Sequence, residues 1–510
     1  MEIKTFLENC QGRGIYLRAE KGELRYRSKK GAMTEEILTI LKERKAEILN
    51  HLDHIADSNS RFKLISASQN RALLFHRDIW NDYSNRKMDV AAAALHSHFV
   101  IRHTGSIRTD TIIESIKILL ERHNVLSSTI EMSGGNLYLV YRAKQSPAFQ
   151  EILVNGASME RREKEGMRIA NDLVWKEYNL DRDPLYRVFL IRLSENDYIL
   201  GLVLHFAIGD PHSVRVLYQE LSLLYLSIIS NTQLPLPPAR FQFMDYLSSM
   251  ETWLASSTCA RYLRYWEEHL KSTPITGLLP SNVLAKVCSI KGLGERKTIV
   301  LNAVVVSELK KIAAKLKTSL FMVLLAVHNV AIWRMTAQEE LVITVHDNGR
   351  ENPNLRYMIG HFVSKVPYKI SLAENPNFIE IIERLKKDRI EAELHQPVPL
   401  DWVCGRLSKE GVIFSSPGMG FPAPSENPQN DLISLNQIRP LMFEYPWPSL
   451  LNCPFTHMIQ FIQHSKGIDV EVSYHREIYQ ESTINSFMDH ILETITAVIR
   501  DPAKKLKDLV

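Results

Sequence analysis

Residues 186–206, YRVFLIRLSENDYILGLVLHF, constrain the fold more than any other stretch: two apolar runs joined by a short polar turn read as a β-hairpin that must be covered. Strand-like and helix-like segments alternate around it. AAAALHSHFVIRH is strand-like, RTDTIIESIKILLERHNVL is a capped amphipathic helix, and LYLVYRA is a strand. A proline-rich stretch, NTQLPLPPARFQF, separates this half from a second containing FMVLLAVHNVAIWRM, ELVITVHDNGR, FIEIIERLKKDRIEAELH, THMIQFIQH and IDVEVSYH. The expected class is α/β or mixed α+β, in two comparable halves with no repeat visible in the sequence.

A chain of 510 residues that is 45% hydrophobic and 24% charged can bury at least two sizeable cores. Its formal charge of +4 is too near balance, at this length, to make nucleic acid or an anionic membrane an obligatory partner. Cys10, Cys259, Cys288, Cys404 and Cys453 are odd in number, scattered and without C-x-x-C spacing, so neither a disulfide framework nor a zinc site is indicated. That usage suits a reducing compartment. No amino-terminal apolar core and no membrane-length run is present, and the expectation is a cytoplasmic protein. His96, His98 and His103 lack metal-ligand spacing and read as lobe-surface residues; no phosphate-binding glycine loop occurs.

The first sixty residues read as a unit of their own. TFLENCQGRG is a short helical stretch stopped by glycines, IYLRAEKGELRYRS alternates as a hairpin around Lys21-Gly22, and MTEEILTILKERKAEILNHL starts a helix at Thr34 with an acidic first turn. Arg18, Lys21, Arg25, Arg27, Lys29 and Lys30 crowd the hairpin and its exit. By itself such a run is either a solvated face or a surface for an acidic partner.

The whole segment GIYLRAEKGELRYRSKKGAMTEEILTILKERKAEIL resembles the small amino-terminal docking domain, of the TubC type, found in nonribosomal peptide synthetases and hybrid polyketide synthases. The resemblance implies that the hairpin edge receives, by strand addition, the carboxy-terminal tail of an upstream synthetase. The six cations would select an acidic tail. Residues 51–63 are polar and suit a tether.

From Leu64 onward the order of short motifs is similar to that of a nonribosomal peptide synthetase condensation domain: SASQNRALLF, ERHNVLSST, the His205 segment, FQFMDYLSSM, IGHFVSKVP and HQPVPLDWV. The resemblance implies a chloramphenicol-acetyltransferase-like fold of two lobes in a V with a tunnel between them. The expected division is a helix-hairpin-helix docking domain at 1–52, a linker at 53–63, an N-lobe at 64–235 and a C-lobe at 236–510. No cofactor is expected to bind directly; carrier proteins would present phosphopantetheine arms. The implied reaction is attack of an amine or hydroxyl on a carrier-bound acyl or peptidyl thioester. The implied partners are an upstream synthetase or polyketide synthase with its carrier protein, and an acceptor amine, alcohol or downstream carrier. Were residues 1–510 the natural protein, it would be free-standing, and chain release would join these expectations.

The site is expected in LVLHFAIGDPHSV, residues 202–214. Against the family pattern HHxxxDG, His205 takes the first histidine, Phe206 the second, Asp210 the aspartate and Pro211 the glycine. The resemblance implies that the second histidine positions the acceptor or takes its proton, and phenylalanine has no nitrogen for either. His205 is left to orient the loop. Asp210 reads as a structural carboxylate with Arg350, of DNGR, as its candidate partner, and both otherwise read as solvated charges. His212 is a candidate replacement base, and either it or Ser213 could in principle face the tunnel. Two other readings stand beside bond formation: a silent docking or recruitment platform, and a heterocyclisation-like domain, whose DxxxxDxxS pattern Asp210 and Ser213 fit while His205 does not.

Overall fold

The computed structural model describes residues 6, 10, 15–20, 23–28, 33–49, 61–63, 96–133, 136–142, 146–176, 178–180, 182–232, 236, 239, 241–272, 279–280, 294–396, 398–409, 416–420, 439–440, 455–464, 466–476 and 478–509. In the first unit β1 (Ile15–Glu20) and β2 (Glu23–Ser28) form an antiparallel hairpin, with Arg18 opposite Arg25 and Tyr16 opposite Arg27. Helix α1 (Glu35–Glu43) starts at Thr34, whose hydroxyl accepts from Ile37 N at 3.3 Å. Phe6, Cys10, Ile15, Ile37, Leu41 and Ile48 bury together. The side chains of Arg18, Arg25 and Arg27 lie outside the described residues, as do Lys21, Lys29, Lys30, residues 53–60 of the expected linker and the SASQNRALLF segment.

The next half runs β3 (Arg61–Lys63), β4 (His96–Thr104), α2 (Thr109–Arg122), β5 (Ser128–Ser133), β6 (Asn136–Tyr141), β7 (Phe149–Leu153), α3 (Met159–Val174), β8 (Tyr186–Ser194), β9 (Asp197–His205) and α4 (Pro211–Ser230). The end of the expected linker is thus strand β3, paired with β6. The apolar hairpin β8–β9 lies at the centre of the main sheet, flanked by β4 and β7. Alternation then divides its side chains between two cores. Leu190, Leu200, Leu202 and Leu204 meet α2 and α4 on one face, while Phe189, Ile191, Ile199 and Val203 meet Ala170 and Val174 of α3 on the other. Both faces are covered, so every residue of β9 is buried. Gly201 is required there, because a Cβ would fall 2.0 Å from the Phe189 ring.

The other half comprises α5 (Phe243–Leu254), α6 (Ser257–Lys271), β10 (Gly294–Asn302), α7 (Ala303–Lys315), α8 (Leu320–Thr336), β11 (Glu340–Asp347), β12 (Ser364–Ser371), α9 (Phe378–Leu394), α10 (Leu400–Lys409), β13 (Ser416–Gly420), β14 (Arg439–Pro440), β15 (Phe455–His464), β16 (Gly467–His475) and α11 (Glu481–Arg500). Its sheet is ordered β10-β16-β15-β13-β11-β12, with β13 parallel to both neighbours, and β14 crosses to pair with β4 of the other half. Helix α8 is apolar on all sides because it is buried on all sides, within the core that also holds Ile381, Phe487 and Ile491. No single helix among the described residues is long and apolar enough to cross a membrane.

The surface assignment of the three clustered histidines needs correction. His96 is buried, His98 and His103 are half-buried, and His96 and His98 pack on Trp175 with ring centroids 4.9 and 6.3 Å away. The β4 face that carries His96 and His98 is covered there by Trp175, at the end of α3. Burial lowers the His98 pKa to about 4.

A second histidine pair lies inside the C-terminal core. His328 of α8 and His457 of β15 are 5.9 Å apart, and both lie against Phe487. Burial lowers the His457 pKa to about 3, and burial, then the neighbouring His457, lowers that of His328. Both folded-state values lie below those of the unfolded chain, which therefore binds more protons once the pH drops beneath about 6.5. Stability present above that pH is lost as the pH falls toward the folded values, by up to about 1.4 kcal/mol per pH unit for each histidine. Urea unfolding between pH 7 and 5 should show this fall, with a slope reduced by about one histidine's share in His457→Leu.

Candidate active site

Asp210 ends the turn after β9 and caps α4. Its extended backbone and short carboxylate suit the N-cap, and Pro211 follows at the first helical position, where a missing N–H costs nothing. Oδ1 accepts from Ser213 N at 2.7 Å, Ser213 Oγ at 2.8 Å and Arg350 Nη2 at 3.0 Å. Oδ2 accepts from Arg350 Nη2 at 3.2 Å and Phe362 N at 3.0 Å. Asp210 and Arg350 are both buried, and their ion pair joins the two halves of the chain.

Arg350 is delivered by the DNGR turn after β11. Gly349 has φ +64°, and a Cβ there would meet the Phe362 carbonyl oxygen at 2.0 Å. Arg350 Nη1 donates to Leu355 O at 2.5 Å and Met358 O at 2.7 Å, and Nη2 also donates to Ser213 Oγ and Gly360 O. The guanidinium lies 4.4 Å from the Phe362 ring. Burial lowers its pKa against the opposing pull of Asp210, yet arginine stays charged at any ordinary pH. Ser213 Oγ lies 2.7 Å from Gly360 O and accepts from Gly360 N. Ser213 is therefore held within the clamp and fully buried, so of the two residues that could face a tunnel it is not the one.

His205 is buried and organises the turn. Its carbonyl accepts from Ile208 N and Gly209 N, and its ring Nδ1 accepts from Ala207 N at 3.1 Å. A neutral ring accepting at Nδ1 carries its proton on Nε2. His212 Nε2 lies 2.9 Å from Arg356 O, which can only accept, so Nε2 is the donor there. Burial, followed by the charge on Arg350, lowers the His212 pKa. Phe206 is half-buried, with its ring 5.7 Å from that of His361 at 62°.

Three of the other motifs adjoin this clamp or the helix that it caps. Gln242 of FQFMDYLSSM donates to Arg122 O at 3.0 Å and accepts from Asn124 N at 3.2 Å, tying it to ERHNVLSST. Within the latter, Arg122 and His123 meet Glu220 of α4 at 3.0 and 2.6 Å. Burial pushes the Glu220 pKa up, but its hydrogen bonds and charge interactions with His123 and Arg122 outweigh this and lower it. Phe243 and Tyr246 pack on Phe362 of IGHFVSKVP at 5.4 and 4.8 Å. HQPVPLDWV lies apart, with His395 stacked on Tyr265.

The condensation-domain family model matches residues 82–510, and the model of the TubC N-terminal docking domain matches residues 3–54. The chain belongs to the condensation-domain family. It is 24% identical over 402 residues to a linear gramicidin synthase of Brevibacillus parabrevis, covering 79% of this chain but only 8% of that relative's length. Its fold is similar to that of the X-domain from teicoplanin biosynthesis, with TM-score 0.71 and 18% identity over 88% of this chain and 97% of the other. It is also similar to a structure concerned with condensation domain-mediated chain release from the enacyloxin polyketide synthase, with TM-score 0.65 and 19% identity over 99% and 97%.

Within this condensation domain the structure brings Asp210 and Arg350 together, keeps His205 beside them in the turn, and directs the His212 Nε2–H to a carbonyl. Sequence reasoning passed over His361, although it sits inside a quoted motif. Nothing in IGHFV marks that position as adjacent to Phe206. Removing one partner of a buried pair leaves the other charge uncompensated. Arg350→Ala and Asp210→Ala should each cost about 3–5 kcal/mol in urea unfolding, and the double variant less than their sum.

Proposed function

We propose that the chain docks an upstream assembly-line synthetase through its basic hairpin and transfers that partner's carrier-bound acyl or peptidyl thioester to an amine or hydroxyl. The substrate is a thioester on a phosphopantetheine arm, and the product is an amide or ester with release of the arm's thiol. The observation that carries this reading is the Asp210–Arg350–Ser213 clamp, which joins the two halves at the turn bearing His205 and Phe206. The same hydrogen bonds occupy Asp210 and Ser213, the two positions shared with the heterocyclisation pattern, so that reading is not adopted. In this proposal Asp210 and Arg350 hold the loop, and His205 sets its geometry.

For docking, the two-stranded hairpin has open edges among the described residues, and an open edge can take an added strand. The register sets Arg18 opposite Arg25. Like charges directly opposite are unfavourable alone and are relieved by an acidic tail.

Intact-mass detection of acyl transfer tests the proposal, using an upstream carrier that bears its own carboxy-terminal tail and a panel of amines and alcohols. Transfer should exceed the rate without protein. Replacing Arg18, Lys21, Arg25, Arg27, Lys29 and Lys30 by glutamine should raise the half-saturating carrier concentration roughly tenfold or more, and added salt should do the same to the native protein. Binding of the carrier without transfer to any acceptor would instead identify a recruitment platform.

A further inference from the structure

The turn that carries residue 206 is held at its far end by Asp210, and its near end has a support that the clamp does not supply. His205 closes β9 with its N–H donated to Leu185 O at 2.8 Å, and its ring Nδ1 accepts from Ala207 N at 3.1 Å. Tyr178 meets the His205 ring edge-on, with centroids 5.4 Å apart and planes at 77°. The guanidinium of Arg187 in turn lies over the Tyr178 ring, 3.6 Å from its centroid. Cation, phenol ring and imidazole are thus in successive contact, and the last of them meets the Ala207 amide.

Strand and turn geometry delivers each member. Arg187 of β8 stands opposite Val203 of β9, and alternation points Arg187, Val203 and His205 to the sheet face that α3 covers. Tyr178 comes from the connection between α3 and β8, which is pinned by its own hydrogen bonds. Asn179 N donates to Asp183 Oδ2 at 2.9 Å, Asp183 N to Asn179 O at 2.7 Å, and Ile130 N of β5 to Leu180 O at 2.7 Å. Burial lowers the Arg187 pKa while Tyr178 and Asp183 raise it, and the arginine stays charged.

We propose that Tyr178, backed by Arg187, is a positioning residue of the transfer reaction: its ring fixes the His205 imidazole, and through the Ala207 amide it fixes the near end of the turn that presents residue 206. The effect on the reaction rests on the acyl-transfer reading above; the effect on the turn does not. Tyr178 acts through His205 and is assigned no contact with substrate. A turn held at one end only is free to pivot about that end. Here Ile208 N and Gly209 N both donate to the His205 carbonyl, so any displacement of His205 passes directly into the turn.

The ring carries this role, and the hydroxyl does not. Tyr178 Oη is buried and makes no hydrogen bond to any described residue, and burial pushes its pKa up, so it stays protonated. A buried hydroxyl without a partner weakens a fold instead of supporting it. Phenylalanine at this position keeps both ring contacts. Leucine keeps apolar volume but loses the π face on which the guanidinium rests. Arg187→Met keeps a long unbranched side chain and removes the charge.

The test joins hydrogen exchange, read by mass spectrometry, to single-turnover acyl transfer from a loaded carrier. The native protein is compared with Tyr178→Phe, Tyr178→Leu, Arg187→Met and the double variant Tyr178→Leu/Arg187→Met. In Tyr178→Leu, peptides covering residues 204–209 should exchange about tenfold faster or more. Those covering Ser213 and Phe362, whose amides bond Asp210, should keep their native rates. Transfer should slow by about 10–10²-fold at an unchanged half-saturating carrier concentration, the size expected of a small misplacement. Tyr178→Phe should recover most of that loss. Arg187→Met should act in the same direction, and the double variant should be within about twofold of Tyr178→Leu, since Arg187 works through the ring. Native exchange at 204–209 in both single variants would overturn the inference while leaving the acyl-transfer reading intact. So would faster exchange at an unchanged transfer rate, a Tyr178→Phe as slow as Tyr178→Leu, or additive losses in the double variant. Arg187→Met decides the matter if urea titration finds Tyr178→Leu unfolded. A native protein that transfers to no acceptor would end both the acyl-transfer reading and the role in the reaction.

Discussion

The arrangement of the candidate site depends on one ion pair buried between the halves. Asp210 serves at once as the N-cap of a twenty-residue helix, as the counter-ion of Arg350 and as the acceptor for the Phe362 amide. Burying two charges gains little net stability unless each lone pair and each N–H is satisfied. Here both carboxylate oxygens and the two terminal guanidinium nitrogens have partners, three of them the backbone carbonyls of Leu355, Met358 and Gly360, and of the guanidinium only Nε is buried without a hydrogen bond. What such a pair supplies is position. The partners satisfy one another only when helix, turn and the facing segment are in one relation, so the loop bearing His205 and Phe206 inherits that relation.

Much of the fold is legible because its signals are local. The apolar hairpin at 186–205, the Thr34 cap and the amphipathic period of the helix at 109–122 are each decided within a few residues, and each is found. The motifs are legible as a sequence order, but the reason for that order is spatial. Gln242 bonds the backbone of the ERHN segment, and Phe243 packs against Phe362, so FQFMDYLSSM acts as a spacer between two other motifs. The beginning of α5 and residues 355–362 consequently belong to the core built around the first sheet, although the proline-rich stretch suggests a boundary before them.

Failures of the sequence reading have a common cause, which is burial imposed from a distance. His96 and His98 look like surface residues until Trp175, from the end of α3, is placed on their rings. Ser213 looks free to face substrate until Gly360 and Arg350 are placed on its hydroxyl.

Phenylalanine at position 206 therefore does not by itself define a dead domain. General-base assistance is worth about 10²–10⁴-fold, whereas alignment of two reactants can contribute about 7–11 kcal/mol of the barrier. The clamp fixes the turn bearing His205 and residue 206 whether or not a histidine stands at 206, because its hydrogen bonds run through Asp210, Ser213, Arg350 and backbone groups and use no atom of the residue 206 side chain.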